Sequence, residues 1–165
     1  MLFRSIPLIV RLFPDSRIIL ALRHPCDVVL SNFMQLFKLN DAMANFLTID
    51  GTARFYNRVM GFWLHCVELL PVTYHPLKYE DLVADFEGEL RNLLRFLDVE
   101  WDDAMRDYRD HAVRRGDINT TPSYEQVIEP IYQRAKYRWM RYEKHLKPVY
   151  HELKPFIEAF GYAGA

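Results

Sequence analysis

The order of apolar and polar positions divides the first part of the chain into helix, turn, strand and helix. Apolar residues over about Leu2–Phe13 have an amphipathic helical spacing, and Pro14-Asp15 marks a turn. The run Arg17–Leu22 is β-branched and apolar without alternation, which is typical of a strand covered on both faces of a sheet. Pro25 suits the first turn of a helix, because its absent N–H needs no partner there, and this helix is predicted to reach about Lys38.

The pattern that follows predicts a second helix–strand pair. Apolar residues at helical spacing over Asp50–Leu70 indicate a long helix. Val72–Tyr79 is predicted to be the second strand, and Pro76 favours an edge position, because proline cannot donate to a sheet ladder. Phe86–Leu97 again has helical spacing, and the rest of the chain is predicted to be mostly helical. This order predicts an α/β fold with a parallel sheet and a helix-rich C-terminal half.

Composition narrows the class of protein. The 165 residues fit one domain over residues 1–165, and 21 Lys and Arg against 22 Asp and Glu give no basic surface for nucleic acid. A membrane span is not expected, because no run of about 18 apolar residues is present. Cys26 and Cys66 give no disulfide framework, and the histidines have no zinc-type spacing. We therefore expect a reducing, cytoplasmic location and no metal.

The segment that follows the first strand has the residue types of a phosphate clamp. Arg23 stands where the strand ends, and ligands of open parallel sheets bind beyond the carboxyl ends of the strands. Its guanidinium offers a fork of donors that matches phosphate oxygens, and Ser31 shares a helix face with Asp27. The alternative is that Arg23 pairs with Asp27 and that Ser31 packs in the core. The spacing alone leaves both interpretations open.

An aromatic residue also stands at the end of the second predicted strand. Tyr79 can contact a nucleobase through its ring or its hydroxyl, although a core tyrosine is the simpler interpretation. Glu80 and Asp81 follow it directly. Adjacent carboxylates are not a catalytic pair, and these two are expected to cap the segment that follows.

Two polar groups in the C-terminal half are further candidates for a ligand. Ser123 and Gln126 are three positions apart and point the same way in a helical turn, although Ser123 also suits an ordinary N-cap. Arg138 lies in a basic and aromatic segment, where it suits either a phosphate contact or a surface salt bridge.

Several of these segments, in this order, resemble motifs of the sulfotransferase family. Its members move a sulfuryl group from 3′-phosphoadenosine-5′-phosphosulfate (PAPS) to an acceptor, which leaves adenosine 3′,5′-bisphosphate (PAP). The resemblance covers about Pro7–Tyr162 and is to bacterial members often found behind tetratricopeptide repeats and to tyrosylprotein sulfotransferases. The similar segments are Phe13–Arg17 (FP-x-A-[RK]), Leu22–Ser31 (R-x-P-x-D-x-x-x-S), Tyr79–Leu82 (YEDL), Thr121–Tyr132 (T-x-S-x-x-Q-V-x-x-P-[IL]-Y) and Arg138–Tyr142 (R-W-x-x-Y).

This resemblance implies a P-loop-NTPase-like three-layer fold that binds PAPS or PAP. In the family, the arginine and serine of the R-x-P-x-D-x-x-x-S element hold the 3′-phosphate. The YEDL tyrosine lies near the adenine, and the R-W-x-x-Y element completes the phosphate site. On this chain the implied cofactor-binding residues are Arg23, Ser31, Tyr79, Ser123, Gln126 and Arg138.

The chain departs from the family pattern at the sulfuryl end of the cofactor. Family members have a first strand and a Gly-rich loop of the form G-x-P-R-S-G-T-[ST], which grips the 5′-phosphosulfate, and the catalytic base comes from that region. The six glycines of this chain form no such loop. We therefore expect the chain to begin in the helix before the second core strand, and the resemblance gives no catalytic residue.

Two functions remain open on this basis. The first is a fragment or truncated homologue of a sulfotransferase, which in full-length form transfers a sulfuryl group to a hydroxyl or amine. The second is an inactive nucleotide-binding or oligomerisation module that associates with other copies through an exposed sheet surface. The acceptor is not specified by the sequence, although Asp41–Ile49 and Asp50–Leu70 are expected to contribute to its pocket.

Overall fold

The computed structural model describes residues 2–35, 37–38, 40–105 and 135–163 of the chain. Their arrangement is mixed α/β, with a small parallel sheet and many helices, which confirms the predicted fold class at this level. The strands are β1 (Arg17–Leu22) and β2 (Thr73–Lys78). The helices are α1 (Ile6–Leu12), α2 (Pro25–Met34), α3 (Ile49–Leu69), α4 (Tyr79–Ala84), α5 (Phe86–Leu97), α6 (Glu143–Leu146) and α7 (Tyr150–Ala159). Short 3₁₀ helices cover Leu2–Ser5, Met43–Leu47, Asp103–Met105, Arg138–Tyr142 and Lys147–Val149.

The two strands pair in parallel, with Arg17 opposite Thr73 and Leu22 opposite Lys78. Parallel neighbours require a long crossover, which α2 and α3 supply here. Pro76 lies in β2, and within the described ranges β2 pairs on one side only, as predicted for an edge strand. The register brings the carboxyl ends of both strands to the same edge of the sheet.

Helix α2 confirms the predicted start and corrects the predicted end. It begins at Pro25, where the ring of His24 provides the cap by accepting the N–H of Cys26 at Nδ1, at 3.3 Å. It ends at Met34 rather than near Lys38. Gln35 takes up extended backbone, with φ −83° and ψ 136°, and this interrupts the helical hydrogen bonds one turn earlier than the apolar spacing suggests.

Helix α4 was not predicted from the sequence, and the capping role expected of Glu80 and Asp81 is wrong. Both residues lie in the first turn of α4 itself. The cap of the next helix, α5, is Asp85, whose carboxylate accepts the N–H of Gly88 at 2.9 Å. The Glu80 carboxylate therefore caps neither α4 nor α5.

The prediction that β1 is covered on both faces is wrong. Leu20 and Leu22 are 3% and 5% exposed, whereas Ile19 is 43% exposed and Ala21 is also exposed. The core packs on the Leu20 face only. On the other face α5 lies against β2, where the rings of Phe96 and His75 are 5.4 Å apart, and this helix does not bury Ile19.

The core lies between the sheet and the helices α2, α3 and α7. Its buried side chains include Leu20, Leu22, Val29, Leu30, Ala53, Met60, Trp63, Leu153, Phe156 and Ile157. Helix α7 packs on both α2 and α3, so the C-terminal segment is held beside the end of β1. None of the helices in the described ranges is long and apolar enough to cross a bilayer.

Candidate functional site

The site is built at the carboxyl ends of the two strands, where the parallel register continues beyond the sheet. Leu22 and Lys78 are the last paired positions, so Arg23 and Tyr79 leave the strands side by side. The Arg23 guanidinium lies over the ring of Tyr79, 5.2 Å from its centroid. Two of the predicted binding residues are thus brought together by the sheet.

Arg23 is only partly engaged by the protein. One terminal nitrogen donates to the carbonyl oxygen of Ala135 at 2.6 Å and lies 3.8 Å from Oδ2 of Asp27. Its Nε is buried and has no hydrogen-bond partner among the described residues. The pairing with Asp27 therefore exists, but it is long and leaves one donor of the guanidinium fork unused.

Asp27 joins the beginning of α2 to the C-terminal segment. Its side chain is 1% exposed, and Oδ1 accepts the backbone N–H of Trp139 at 2.8 Å. Burial raises the pKa of Asp27, while the positive charge of Arg23 and the hydrogen bond from Trp139 act in the opposite direction. The pairing of Asp27 with Arg23 was one of two interpretations left open by the sequence, but nothing in the local pattern indicated this burial.

The His24 ring is enclosed by aromatic side chains of the C-terminal segment. It stacks on Trp139 with centroids 4.8 Å apart and planes at 12°, and it meets the rings of Tyr137 and Tyr162 edge-on. Burial lowers the pKa of His24 to about 4, although the Glu80 carboxylate acts to raise it. The imidazole is accordingly neutral at pH 7, which agrees with its accepting the N–H of Cys26.

Glu80 connects the turn after β1 to the end of the chain. Its Oε1 accepts the backbone N–H of His24 at 2.9 Å, and its Oε2 accepts the hydroxyl of Tyr162 at 2.9 Å. The residue is 1% exposed. Burial is the main cause of the raised pKa of the Tyr162 phenol, and the adjacent carboxylate adds to it.

The other predicted binding residues are distributed unevenly around this site. Ser31 is partly buried on α2, one turn beyond Asp27. Arg138 is exposed and opens the 3₁₀ helix that follows Tyr137, which has left-handed backbone with φ 52°. It lies between Ala135, which accepts a hydrogen bond from Arg23, and Trp139, which donates one to Asp27 and stacks on His24.

Ser123 and Gln126, also predicted to bind the ligand, lie outside the described residues. Among the residues that are described, no cluster of His, Cys, Asp or Glu has the arrangement of a metal site.

A cavity of about 410 Å³ adjoins Arg23. Its lining is mainly apolar and comes from the end of β1, from α2, from the 3₁₀ helix Met43–Leu47 and from α3. Asn32 and Arg23 contribute polar groups, whereas Phe46 and Tyr56 contribute aromatic surface. The segments expected from the sequence to form an acceptor pocket thus do line a cavity beside the candidate phosphate site.

Comparison with known proteins places the chain among proteins several times its length. It is 26% identical to protein-tyrosine sulfotransferase 1 of Danio rerio over 141 residues, which are 83% of this chain and 39% of that protein. It is 24% identical to the protein-tyrosine sulfotransferase of Drosophila melanogaster over 144 residues, or 80% and 27% of the two chains. An uncharacterized protein of Aquifex aeolicus is 30% identical over 148 residues, which are 89% of this chain and 19% of its own length.

The chain therefore spans between about a fifth and two-fifths of the length of these curated relatives. A sequence model of the sulfotransferase family matches residues 1–103, which include both strands, Arg23, Ser31 and Tyr79. This match covers more than half of the sequence and agrees with the motifs and with the parallel strands that carry them. The chain belongs to the sulfotransferase family.

Proposed function

We propose that this chain forms the part of a PAPS-dependent sulfotransferase that binds the 3′-phosphate and adenine half of the donor. The observation that carries the proposal is the position of Arg23: it follows a parallel strand, its side chain is 23% exposed, and its guanidinium lies over the ring of Tyr79. The partly exposed guanidinium offers donors that match phosphate oxygens, at the edge of the sheet where ligands of parallel sheets bind. The proposal includes a single domain over residues 1–165 with the P-loop-like layering of the family.

The residues present fit the nucleotide in complementary ways. Arg23 donates to the 3′-phosphate, and the exposed Arg138 is carried to the same end of the sheet by its neighbours Ala135 and Trp139. Tyr79 supplies an aromatic surface for the adenine next to Arg23. Ser31, on the helix face of Asp27, is the second phosphate donor. Ser123 and Gln126 remain predictions from the family motif.

When bound, PAPS supplies the sulfuryl group. Transfer to a hydroxyl or amine needs donors on the oxygens where charge develops and a base for the acceptor proton. Arg23, Ser31 and Arg138 bind the opposite end of the nucleotide, so they contribute affinity and orientation, and we assign no catalytic residue. We place the acceptor against the 3₁₀ helix Met43–Leu47 and α3, which line the apolar cavity, and an aromatic group such as the tyrosine named by the relatives would fit there.

The alternative function is an inactive nucleotide-binding or oligomerisation module. One observation favours it: the face of β1 that carries Ile19 is left exposed, although the strand is strongly apolar. A nucleotide-binding module shares the nucleotide site and differs from the enzyme in whether transfer follows binding, whereas an oligomerisation module does not need the site.

Calorimetric titration with PAP tests the shared step. The wild-type chain should bind PAP, and Arg23→Ala should weaken binding on the order of a hundredfold, because a charge-assisted phosphate contact and its orienting role are both lost. Arg17→Ala is the matched control, since Arg17 is an exposed arginine at the opposite end of the same strand. Equal binding by wild type and Arg23→Ala would refute the assignment.

A further inference from the structure

Glu80 has a buried carboxylate that the proposed nucleotide site does not use. We propose that Glu80 is a positioning residue, which fixes the direction in which Arg23 points at the 3′-phosphate. This inference rests on the proposed function. Glu80 touches neither the phosphate nor any reacting atom. It acts on Arg23 through the backbone.

The contact is made to the peptide bond that follows Arg23. The N–H that Glu80 Oε1 accepts belongs to His24, so the carboxylate holds the peptide plane between Arg23 and His24. That plane sets the backbone torsion of Arg23 and hence the position from which its side chain extends. The register explains the meeting: His24 and Glu80 each lie two residues beyond Leu22 and Lys78, the last paired positions of the strands.

The burial of Glu80 indicates a specific role. A carboxylate removed from water is costly unless hydrogen bonds replace its hydration. Here one oxygen serves His24 and the other serves Tyr162, and within the described ranges no Lys or Arg lies at ion-pair distance from Glu80. The carboxylate therefore accepts hydrogen bonds on both oxygens and ties His24, in the turn after β1, to Tyr162, three residues beyond the end of α7.

The second tie stiffens the same turn. Tyr162 donates to Oε2 and also lies edge-on to the His24 ring, 5.3 Å from its centroid. The turn is thus fixed at the backbone by Glu80 and at the ring by Tyr162 and Trp139. Without the hydrogen bonds of Glu80, the Arg23 side chain should adopt more orientations. This weakens its contact with the 3′-phosphate, because the strength of that contact depends on donor geometry.

The test compares two nucleotides that differ only in the 3′-phosphate, PAP and adenosine 5′-phosphate. The readout is the ratio of their affinities, measured by calorimetry on the full chain. Glu80→Met keeps the volume of the side chain and removes both acceptors, and it should lower this ratio about tenfold. Glu80→Gln keeps an oxygen for the His24 N–H and should retain most of the ratio. Asp81→Asn, a change in the neighbouring exposed carboxylate, is the matched control and should change nothing.

The outcomes separate this proposal from the one it rests on. A wild-type chain without preference for PAP refutes the proposed function and this inference with it. A wild-type preference that folded Glu80→Met retains, or an equal weakening of both nucleotides, refutes the positioning role alone. If Glu80→Met does not fold, Tyr162→Phe provides the test, because it removes only the hydrogen bond to Oε2 of Glu80. This variant should lower the affinity ratio about threefold. An unchanged ratio overturns the proposal.

Discussion

Arg23 owes its binding capacity to the balance of charges around it. Asp27 is close enough to attract the guanidinium but too far for a good hydrogen bond, at 3.8 Å, and its other oxygen is occupied by Trp139. The side chain of Arg23 is 23% exposed and that of Asp27 is 1% exposed, so solvent screens this pair only in part. Asp27 therefore cancels part of the charge that attracts an anion, whereas the hydrogen bond to Ala135 and the ring of Tyr79 hold the guanidinium in place.

Removing that charge should strengthen phosphate binding. In Asp27→Asn the amide oxygen still accepts the Trp139 N–H, while the competing negative charge is gone. We expect PAP to bind about threefold more tightly at pH 7 by calorimetry. Since burial raises the pKa of Asp27, the advantage of the variant should shrink as the pH is lowered and the wild-type carboxyl takes up its proton. Asp15→Asn, in an exposed turn, is the control, and weaker binding by Asp27→Asn would show that the charge is needed to orient Arg23.

His24 should make folding sensitive to mild acid. In the unfolded chain its pKa is near the ordinary 6.5, whereas in the folded chain it is about 4. Between these values the unfolded state binds more protons, so the free energy of unfolding falls as the pH falls through this window, by roughly 3 kcal/mol in total. The stabilising effect of the neutral ring is complete above about pH 6.5.

The matched variant is His24→Asn, because asparagine can still accept the N–H of Cys26 as a helix cap. Urea unfolding at several pH values between 7 and 4.5 should show the two proteins converging as the pH falls. Asp27 contributes a pH dependence of the opposite sign to the free energy of unfolding, because its pKa is raised. This contribution is common to both proteins and cancels in the comparison. Parallel curves would show that the His24 ring is not held neutral in the folded chain.

The strands and long helices could be predicted from the sequence because their patterns are local. The apolar run Arg17–Leu22 and the spacing within Asp50–Leu70 reflect burial along one element, and the predicted and observed bounds differ by a residue or less. Arg23 and Tyr79 could also be predicted, since both stand at strand ends. The exposed face of β1 could not, because it depends on where α5 packs.

Glu80 was misjudged for a related reason. Its partners, the His24 N–H and the Tyr162 hydroxyl, are 56 and 82 positions away, and nothing in the local sequence distinguishes it from a capping carboxylate. The one available signal was the strand pairing. Because Leu22 pairs with Lys78, His24 and Glu80 each lie two residues beyond the last paired positions, and the register brings them next to each other.

Helix α7 should be essential for holding the C-terminal segment at the site. Leu153 is fully buried between this helix and the core, so Leu153→Ala should lower the free energy of unfolding by about 2–5 kcal/mol through lost burial and a cavity. Lys154→Ala, the exposed neighbour, should change it by less than about 0.5 kcal/mol. Urea unfolding followed by circular dichroism measures both, and similar values for the two variants would contradict the packing described for α7.

The molecule as a whole leaves apolar surface uncovered near its N-terminal part. The side chains of Leu8, Leu12, Phe13 and Ile19 are 58%, 60%, 63% and 43% exposed. Ile19 belongs to a strand that pairs on one side only within the described ranges. Surfaces of this kind favour association, because a second chain can bury the apolar groups and pair with the strand edge.

We therefore expect the isolated chain to associate in solution. Sedimentation velocity should show species larger than a monomer at micromolar concentration, and Ile19→Lys should shift the distribution toward monomer, since a charge on the exposed face opposes its burial. Lys38→Glu, a charge change at an exposed residue beyond α2, should have no such effect. A well-folded wild-type monomer would count against association through this surface.

The central claim is that the partly exposed guanidinium of Arg23 receives the 3′-phosphate. It is tested most directly by nuclear magnetic resonance of the arginine Nε–H groups. One signal, identified by its absence from Arg23→Lys, should shift when PAP is added and stay in place when adenosine 5′-phosphate is added. A signal that stays in place while PAP binds would contradict the account, as would the absence of any PAP binding.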